Sequence, residues 1–427
     1  GGTAIMCTNA GKLHDFIPAA EIPRVAEAIL KVFRQFGDYQ HKQRNRIKFM
    51  IKSLGWDRFV AEYERELAAA REANVPLLEI DPPAEETKPE GTRPAAQPAA
   101  MIGARVASQA PLGPGITPVV LPVYHTNDES YVRWRASNVR SQKQFGYAIV
   151  TATVPLGDLT SEQMRVVGDL AASYADGTVR VTMEQDLVFR WVKVADVHEL
   201  YQRLAAAGLG LAEAATIADV TSCPGAESCR LAVTQSRGLG RLLEDHLRAR
   251  PDLLAAADGA RIKISGCPNG CGQHHVSTFG FQGSVRKVGS KAVPQYFVLV
   301  GGGSTAAGAS FGRLASKVPA RRIPQVVERL IALYANEKQE GESANTFFAR
   351  VDLKRVQKEL LDLQTRIVPG DGVAPLPAIL RKVVATGYSG PLSVELFLQQ
   401  FAAADPFAMA TEIKTKAGAV MRAAGLA

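Results

Sequence analysis

Four cysteines in two Gly/Pro-rich turns constrain this chain more than any other feature. Cys223 and Cys229 lie in TSCPGAESC, and Cys267 and Cys271 lie in SGCPNGCGQ. The spacing is Cys-x5-Cys followed by Cys-x3-Cys, and the remaining cysteine, Cys7, stands alone. Four thiolates on tight turns suit a cubic iron–sulfur cluster, which draws its Cys ligands from several directions. Pro224, Gly225, Gly266, Pro268, Gly270 and Gly272 flank the thiols. They let backbone N–H groups approach sulfur, and such hydrogen bonds tune a cluster's potential. Two other readings use the same residues. A structural zinc ion also takes four cysteines, although the first gap is long for a zinc knuckle. Two disulfides would leave an odd thiol, in a chain without a signal peptide and too long to need staples. Cys7 reads as a small buried hydrophobe.

These motifs carry a resemblance. Cys-x5-Cys with GCPNGCG resembles the sirohaem-dependent sulfite and nitrite reductases, over Gly1 to about residue 366. The resemblance implies an α+β fold: a pseudo-twofold sirohaem reductase architecture with a half-ferredoxin-like module and a mixed-sheet lobe for cluster and sirohaem. It further implies that Cys223, Cys229, Cys267 and Cys271 hold a 4Fe-4S cluster. Cys271 would bridge to the sirohaem iron and so stand at the catalytic centre. The implied reaction is six-electron reduction of sulfite to sulfide or of nitrite to ammonia, with sulfite favoured. The implied electron donor is a ferredoxin or a flavoprotein.

Sirohaem carries eight carboxylates, and Arg guanidinium suits bidentate carboxylate binding. Candidates are Arg133, Arg135, Arg140 and Lys143 in YVRWRASNVRSQKQ, and Arg180 in RVTMEQD; each also reads as a solvated surface cation. Asn269, inside CPNGC, is placed to hydrogen-bond near the bridging thiolate or to serve as a turn residue tolerating positive φ. Gln273 and His274 follow Cys271; His274 reads as a proton donor or as a structural histidine.

Length and charge are compatible with this. The 427 residues allow two or three domains, and no run of eighteen apolar residues suggests a membrane span. Free thiols and the missing signal sequence point to a reducing cytoplasm. The net charge of +8 suits an anionic substrate, a polycarboxylate cofactor or an acidic donor protein. Basic residues do not interleave with aromatics along one stripe, which argues against nucleic acid.

An internal repeat organises the chain. Residues 11–33 and 312–334 align at a constant offset of 301 with eight identities, among them Pro18/Pro319, Ile22/Ile323, Pro23/Pro324 and Glu27/Glu328. Both copies predict an amphipathic helix; in the first, Pro23 suits the opening turn and Gly37 the stop. A second helix carries Ile47, Ile51 and Leu54 up to Gly55, and the basic run at 41–48 reads as a solvated face or as cofactor-facing. The second copy follows roughly 170 residues of domain, whereas the first begins in mid-motif at Gly1 without a Met. The expectation is therefore an N-terminally truncated chain, lacking the half from which the family draws most of its anion-binding cations. The alternative function is then a non-catalytic iron–sulfur electron-transfer fragment.

The expected boundaries follow from composition and pattern. Residues 1–79 close a first lobe, and 80–125 form a Pro/Ala-rich linker or surface strap without periodicity. Residues 126–215 read as a βαββα half-ferredoxin-like domain. Thr160-Ser-Glu-Gln163 is a capping box, TVRVT and LVFRWVKV are strands, and Asp196 is the expected cap of a helix to about Ala207. Residues 216–366 form the iron–sulfur and sirohaem domain, in which RIKIS delivers Cys267 and 341–364 close the lobe as a helix. Residues 367–427 resemble the end of a sugar-phosphate isomerase-like TIM barrel, where Glu395 would match a metal ligand. A barrel closes only with all eight units, so the tail alone predicts no catalysis.

Overall fold

A computed structural model describes residues 10–80, 93–108, 128–257, 259–288, 291–305, 308–364, 376–386 and 405–426. They divide between a unit within Met6–Pro89 and a unit within Glu90–Ala427. Helices α1 (Ile22–Phe36), α2 (Ile47–Leu54) and α3 (Trp56–Glu72) make up the first. Pro23 sits in the first turn of α1, where its missing N–H leaves no bond unmade. Gly55 ends α2 at a φ of +89°, a conformation that a side chain would strain. Ala28, Val32, Met50, Phe59, Tyr63 and Leu67 form the core of this unit.

The second unit begins, among described residues, inside the stretch expected to be a linker. Ala99–Ala107 fold there as helix α4, and Ile102 and Val106 are buried. Alanine is the strongest helix former, and two apolar residues four apart suffice to dock a short helix. The expectation of a linker or extended strap over residues 80–125 is corrected to that extent.

Helix α5 (Asp128–Asn138) leads into β1 (Val139–Ser141), β2 (Tyr147–Ala152), α6 (Ser161–Tyr174), β3 (Arg180–Val181), β4 (Leu187–Lys193) and α7 (Val197–Ala206). The strands form an antiparallel sheet in the order β1-β2-β4-β3. Thr160 and Gln163 make the full capping box of α6. Asp196 makes no side-chain cap; a 3-10 turn over Val194–Asp196 leads into α7 instead. Strand β3 is shorter than TVRVT because the Thr182 hydroxyl takes the N–H groups of Glu184 and Asp186, both at 3.2 Å, and turns the chain.

The lobe that follows runs β5 (Thr221–Ser222), α8 (Ser236–Arg248), α9 (Pro251–Ala256), β6 (Ile262–Ser265), β7 (Phe279–Val288), β8 (Lys291–Val300), β9 (Gly303–Thr305), β10 (Gly308–Ser310), β11 (Arg313–Pro319) and α10 (Ile323–Glu337). Its main sheet has the order β11-β8-β7-β6-β5, parallel from β5 to β7 and antiparallel from β7 to β11. This is the expected mixed sheet. Ile262, Ile264, Phe279, Phe281, Val298 and Val300 face a core shared with Leu243 and Leu247 of α8 and Val326, Val327 and Leu330 of α10.

The closing segment is two helices rather than one: α11 (Ala344–Arg350) and α12 (Leu353–Glu359). Ser343 caps the first, and the Asp352 carboxylate accepts the Lys354 N–H at 3.0 Å to cap the second. An internal cap forces the chain out of the helix, so Val351 is extended. In the tail, α13 (Leu376–Ala385) and α14 (Pro406–Ala423) are helical, while Glu395 lies outside the described residues, as does Cys7.

Candidate metal centre

Strands β5 and β6 are parallel neighbours, with Thr221 opposite Lys263 and Ser222 opposite Ile264. Parallel neighbours release their chains at the same sheet edge, so both cysteine turns emerge together. Cys223 directly follows β5 and Cys267 follows β6 by two residues. The turns are also bonded to each other. Val233 and Thr234 donate their N–H groups to the Gly266 carbonyl at 2.9 and 3.2 Å, and Gly266 N–H donates to Cys223 Sγ at 3.2 Å. A Cβ on Gly266 would lie 2.9 Å from Gly225 Cα, so the approach of the two turns requires glycine.

Cys223 and Cys267 are buried, Cys229 is partly covered, and Cys271 is exposed. Burial pushes the Cys271 thiol up, and the fields of Cys223, Cys267 and Cys229 push it further. All four expected cysteines thus share one electrostatic neighbourhood. Among the described residues no three His, Cys, Asp or Glu side chains converge on a single ion.

Around the cysteines lies a buried polar network that the sequence reading missed. Lys263 is buried on β6, and its Nζ donates to Gln273 Oε1 at 2.8 Å, two residues beyond Cys271. Burial holds the Lys263 ammonium below its usual range, while Glu184 at 3.9 Å opposes this. Gln185 Oε1 accepts the Ser222 N–H at 2.9 Å, so the β3–β4 turn is stitched to the strand that feeds Cys223. In the same turn, Asp186 accepts the Val154 N–H at 2.9 Å and lies within hydrogen-bond reach of Asp219. Burial first, and then Asp219, push Asp186 up to about 8. The available signal was charge inside strand patterning: Lys263 within RIKIS and Asp186 after MEQ.

The other expected site residues are spread more widely. Arg135 and Arg140 line a cleft of about 440 Å³ with Tyr131, Val139, Tyr147 and Val197. Burial lowers the Arg261 guanidinium, and the charge of nearby Arg140 acts in the same direction. Arg133 and Arg180 face Glu129 and Asp176, each at 3.9 Å. Among the described residues none of these four arginines is bonded to the cysteine turns. Asn269 is partly exposed; the positive φ of this turn falls on Gly270 (74°) and Gln273 (57°), not on Asn269. His274 is fully buried with Nε2 3.1 Å from Gln282 Oε1, and burial pulls it down to about 3, leaving a neutral imidazole.

Comparison with known proteins agrees with the geometry. Residues 1–70 and 213–366 match the nitrite and sulphite reductase 4Fe-4S domain. The chain belongs to that family. Residues 140–207 match the nitrite/sulfite reductase ferredoxin-like half domain, which is the β1–α7 module. Among curated relatives, the rice chloroplastic ferredoxin–nitrite reductase is 24% identical over 77% of this chain and 48% of its own length. The sulfite reductase [ferredoxin] of Mycobacterium tuberculosis is 24% identical over 80% of this chain and 53% of its own length. The ferredoxin–nitrite reductase of Synechococcus elongatus is 26% identical over 75% and 52%. This chain therefore spans about half the length of the curated relatives it matches. The solved structure of Mycobacterium tuberculosis NirA protein superposes with a TM-score of 0.58 at 24% identity, covering 83% of this chain and 57% of that one. The likeness extends to the α+β fold.

Proposed function

We propose that Cys223, Cys229, Cys267 and Cys271 ligate a 4Fe-4S cluster and that Cys271 joins it to sirohaem, for six-electron reduction of sulfite or nitrite. The observation that carries this is the pairing of two cysteine turns at the ends of adjacent parallel strands, with all four thiols in one field. The long first gap of the cysteine pattern favours a cluster, in which each thiolate meets its own iron, over a zinc ion. The donor set fits: Cys223 and Cys267 are buried, Cys223 lies beside an N–H and an O–H group, and the exposed Cys271 is free to bridge outward. When bound, the cluster and tetrapyrrole supply the electron relay and the iron at which the anion is reduced.

The chain's own residues would do the rest. Arg135 and Arg140, which line an open cleft and have no acidic partner among the described residues, are the cations proposed to hold macrocycle carboxylates. Arg133 and Arg180 hold their acidic partners only loosely and complete the proposed set, with Asn269 beside the bridging thiolate. Lys263 fixes the Gln273 side chain and with it the backbone that leaves Cys271. The donor is an acidic ferredoxin or flavoprotein drawn by the net positive charge.

Iron, acid-labile sulfide and the visible spectrum test this together. Sirohaem gives visible bands, a cluster alone a broad brown shoulder, and zinc nothing. A cluster without sirohaem would favour the reading as an electron-transfer piece. Cys229→Ser should remove iron and sulfide together; full iron in that variant refutes the ligand set.

A further inference from the structure

We infer that Ser236 is a positioning residue for the cluster, which donates its hydroxyl proton to the Cys223 sulfur and raises the cluster's reduction potential. The inference rests on the ligation proposed above. Ser236 opens α8 and is fully buried, and its Oγ lies 3.2 Å from Cys223 Sγ and 2.8 Å from the Cys223 carbonyl oxygen. The carbonyl has a second donor, since Ser222 Oγ–H donates to it at 3.0 Å. Ser236 also donates to this carbonyl, so its single hydroxyl hydrogen is shared between the carbonyl oxygen and the sulfur, and Ser222 relieves part of the carbonyl's demand for it. Gly225 has a φ of +64°, and a Cβ on it would overlap both the nitrogen and the hydroxyl of Ser236. The loop is thus shaped to admit this hydroxyl.

Deprotonation of the thiol decides the direction of the bond. A Cys223 thiol has its own hydrogen to offer Ser236 Oγ. A metal-bound thiolate has none, so the hydroxyl hydrogen is the only one left in the gap between oxygen and sulfur. It joins the Gly266 N–H, already 3.2 Å from the same sulfur. Reduction adds negative charge to the cluster and its thiolates. Donors fixed on sulfur stabilise that form, and the amide dipoles opening α8 act in the same sense.

The experiment is a redox titration of the whole chain, followed by the paramagnetic resonance of the reduced cluster. Iron and acid-labile sulfide are measured first. Ser236→Ala should keep iron and sulfide and shift the midpoint potential to a more negative value, and Ser236→Thr, which keeps the hydroxyl, should return it toward that of the parent. An unchanged potential in a fully loaded Ser236→Ala protein overturns the inference and leaves the ligand set standing. Absence of iron and sulfide from the parent overturns the ligand set itself. Should Ser236→Ala not assemble a cluster, Ser236→Gly carries the same comparison. Loss of the cluster in both, with retention in Ser236→Thr, would make the hydroxyl an assembly requirement and overturn its role in tuning.

Discussion

Asp186 holds a proton that an exposed aspartate gives up. It is 2% exposed, faces Asp219 and Glu184, and is pushed up to about 8, first by burial and then by Asp219. Asp219 is raised as well, by burial and by Glu213 and Glu184 against Arg261. Both groups are protonated more readily in the folded chain than in the unfolded one. Their contribution to stability is complete below the ordinary aspartate range near 4 and is lost as pH rises through about 8 for Asp186. Stability should therefore fall between about pH 4 and 8, by at most about 1.4 kcal/mol per pH unit for each proton involved. Asp186→Asn keeps an acceptor for the Val154 N–H and offers Asp219 an amide donor, so it should flatten that fall. Thermal melting of both proteins across this range is the check, and parallel curves would exclude the pair as its source. Because the β3–β4 turn bonds to Ser222, the same titration acts on the strand that delivers Cys223.

Repeated helices show what an element owes to its partner. Helices α1 and α10 occupy the two copies of the repeat, yet Ile22 is 49% and Leu30 62% exposed, against 0% and 2% for their counterparts Ile323 and Ile331. The α10 face lies on the mixed sheet, whereas α1 buries Ala28 and Val32 within its own helical unit. Ile331→Ala should cost about 2–5 kcal/mol, and Leu30→Ala no more than about 0.5 kcal/mol. Hydrogen exchange of each helix reports this, and equal losses would show that burial does not separate the copies. Strands follow the same logic. Arg313–Pro319 is a strand because β8 takes its hydrogen bonds, while the matching residues 12–18 are not a strand in the described structure.

At the scale of the molecule, the net charge of +8 would make the approach of the proposed acidic donor sensitive to salt. Its affinity should weaken steadily as ionic strength approaches about 0.5 M, since screening lengths shrink from about 10 Å at 0.1 M to about 3 Å at 1 M. Binding that ignores salt would argue for an apolar dock instead. The sequence by itself pointed to the family, the mixed α+β fold and the capping box of α6, and it carries the cysteine motifs on which the proposed ligand set rests. The family and fold rest on a resemblance carried by the cysteine motifs, and the capping box on turn chemistry; both are marks of neighbouring residues. Only the tertiary structure decided that β5 and β6 are parallel neighbours, that Ser236 and Gly266 both reach the Cys223 sulfur, and that Lys263, Gln185 and Asp186 surround the site. It also decided that His274 is a buried neutral ring. Each of these is a contact between residues distant in the chain or a consequence of burial, and neither leaves a mark on the order of neighbouring residues.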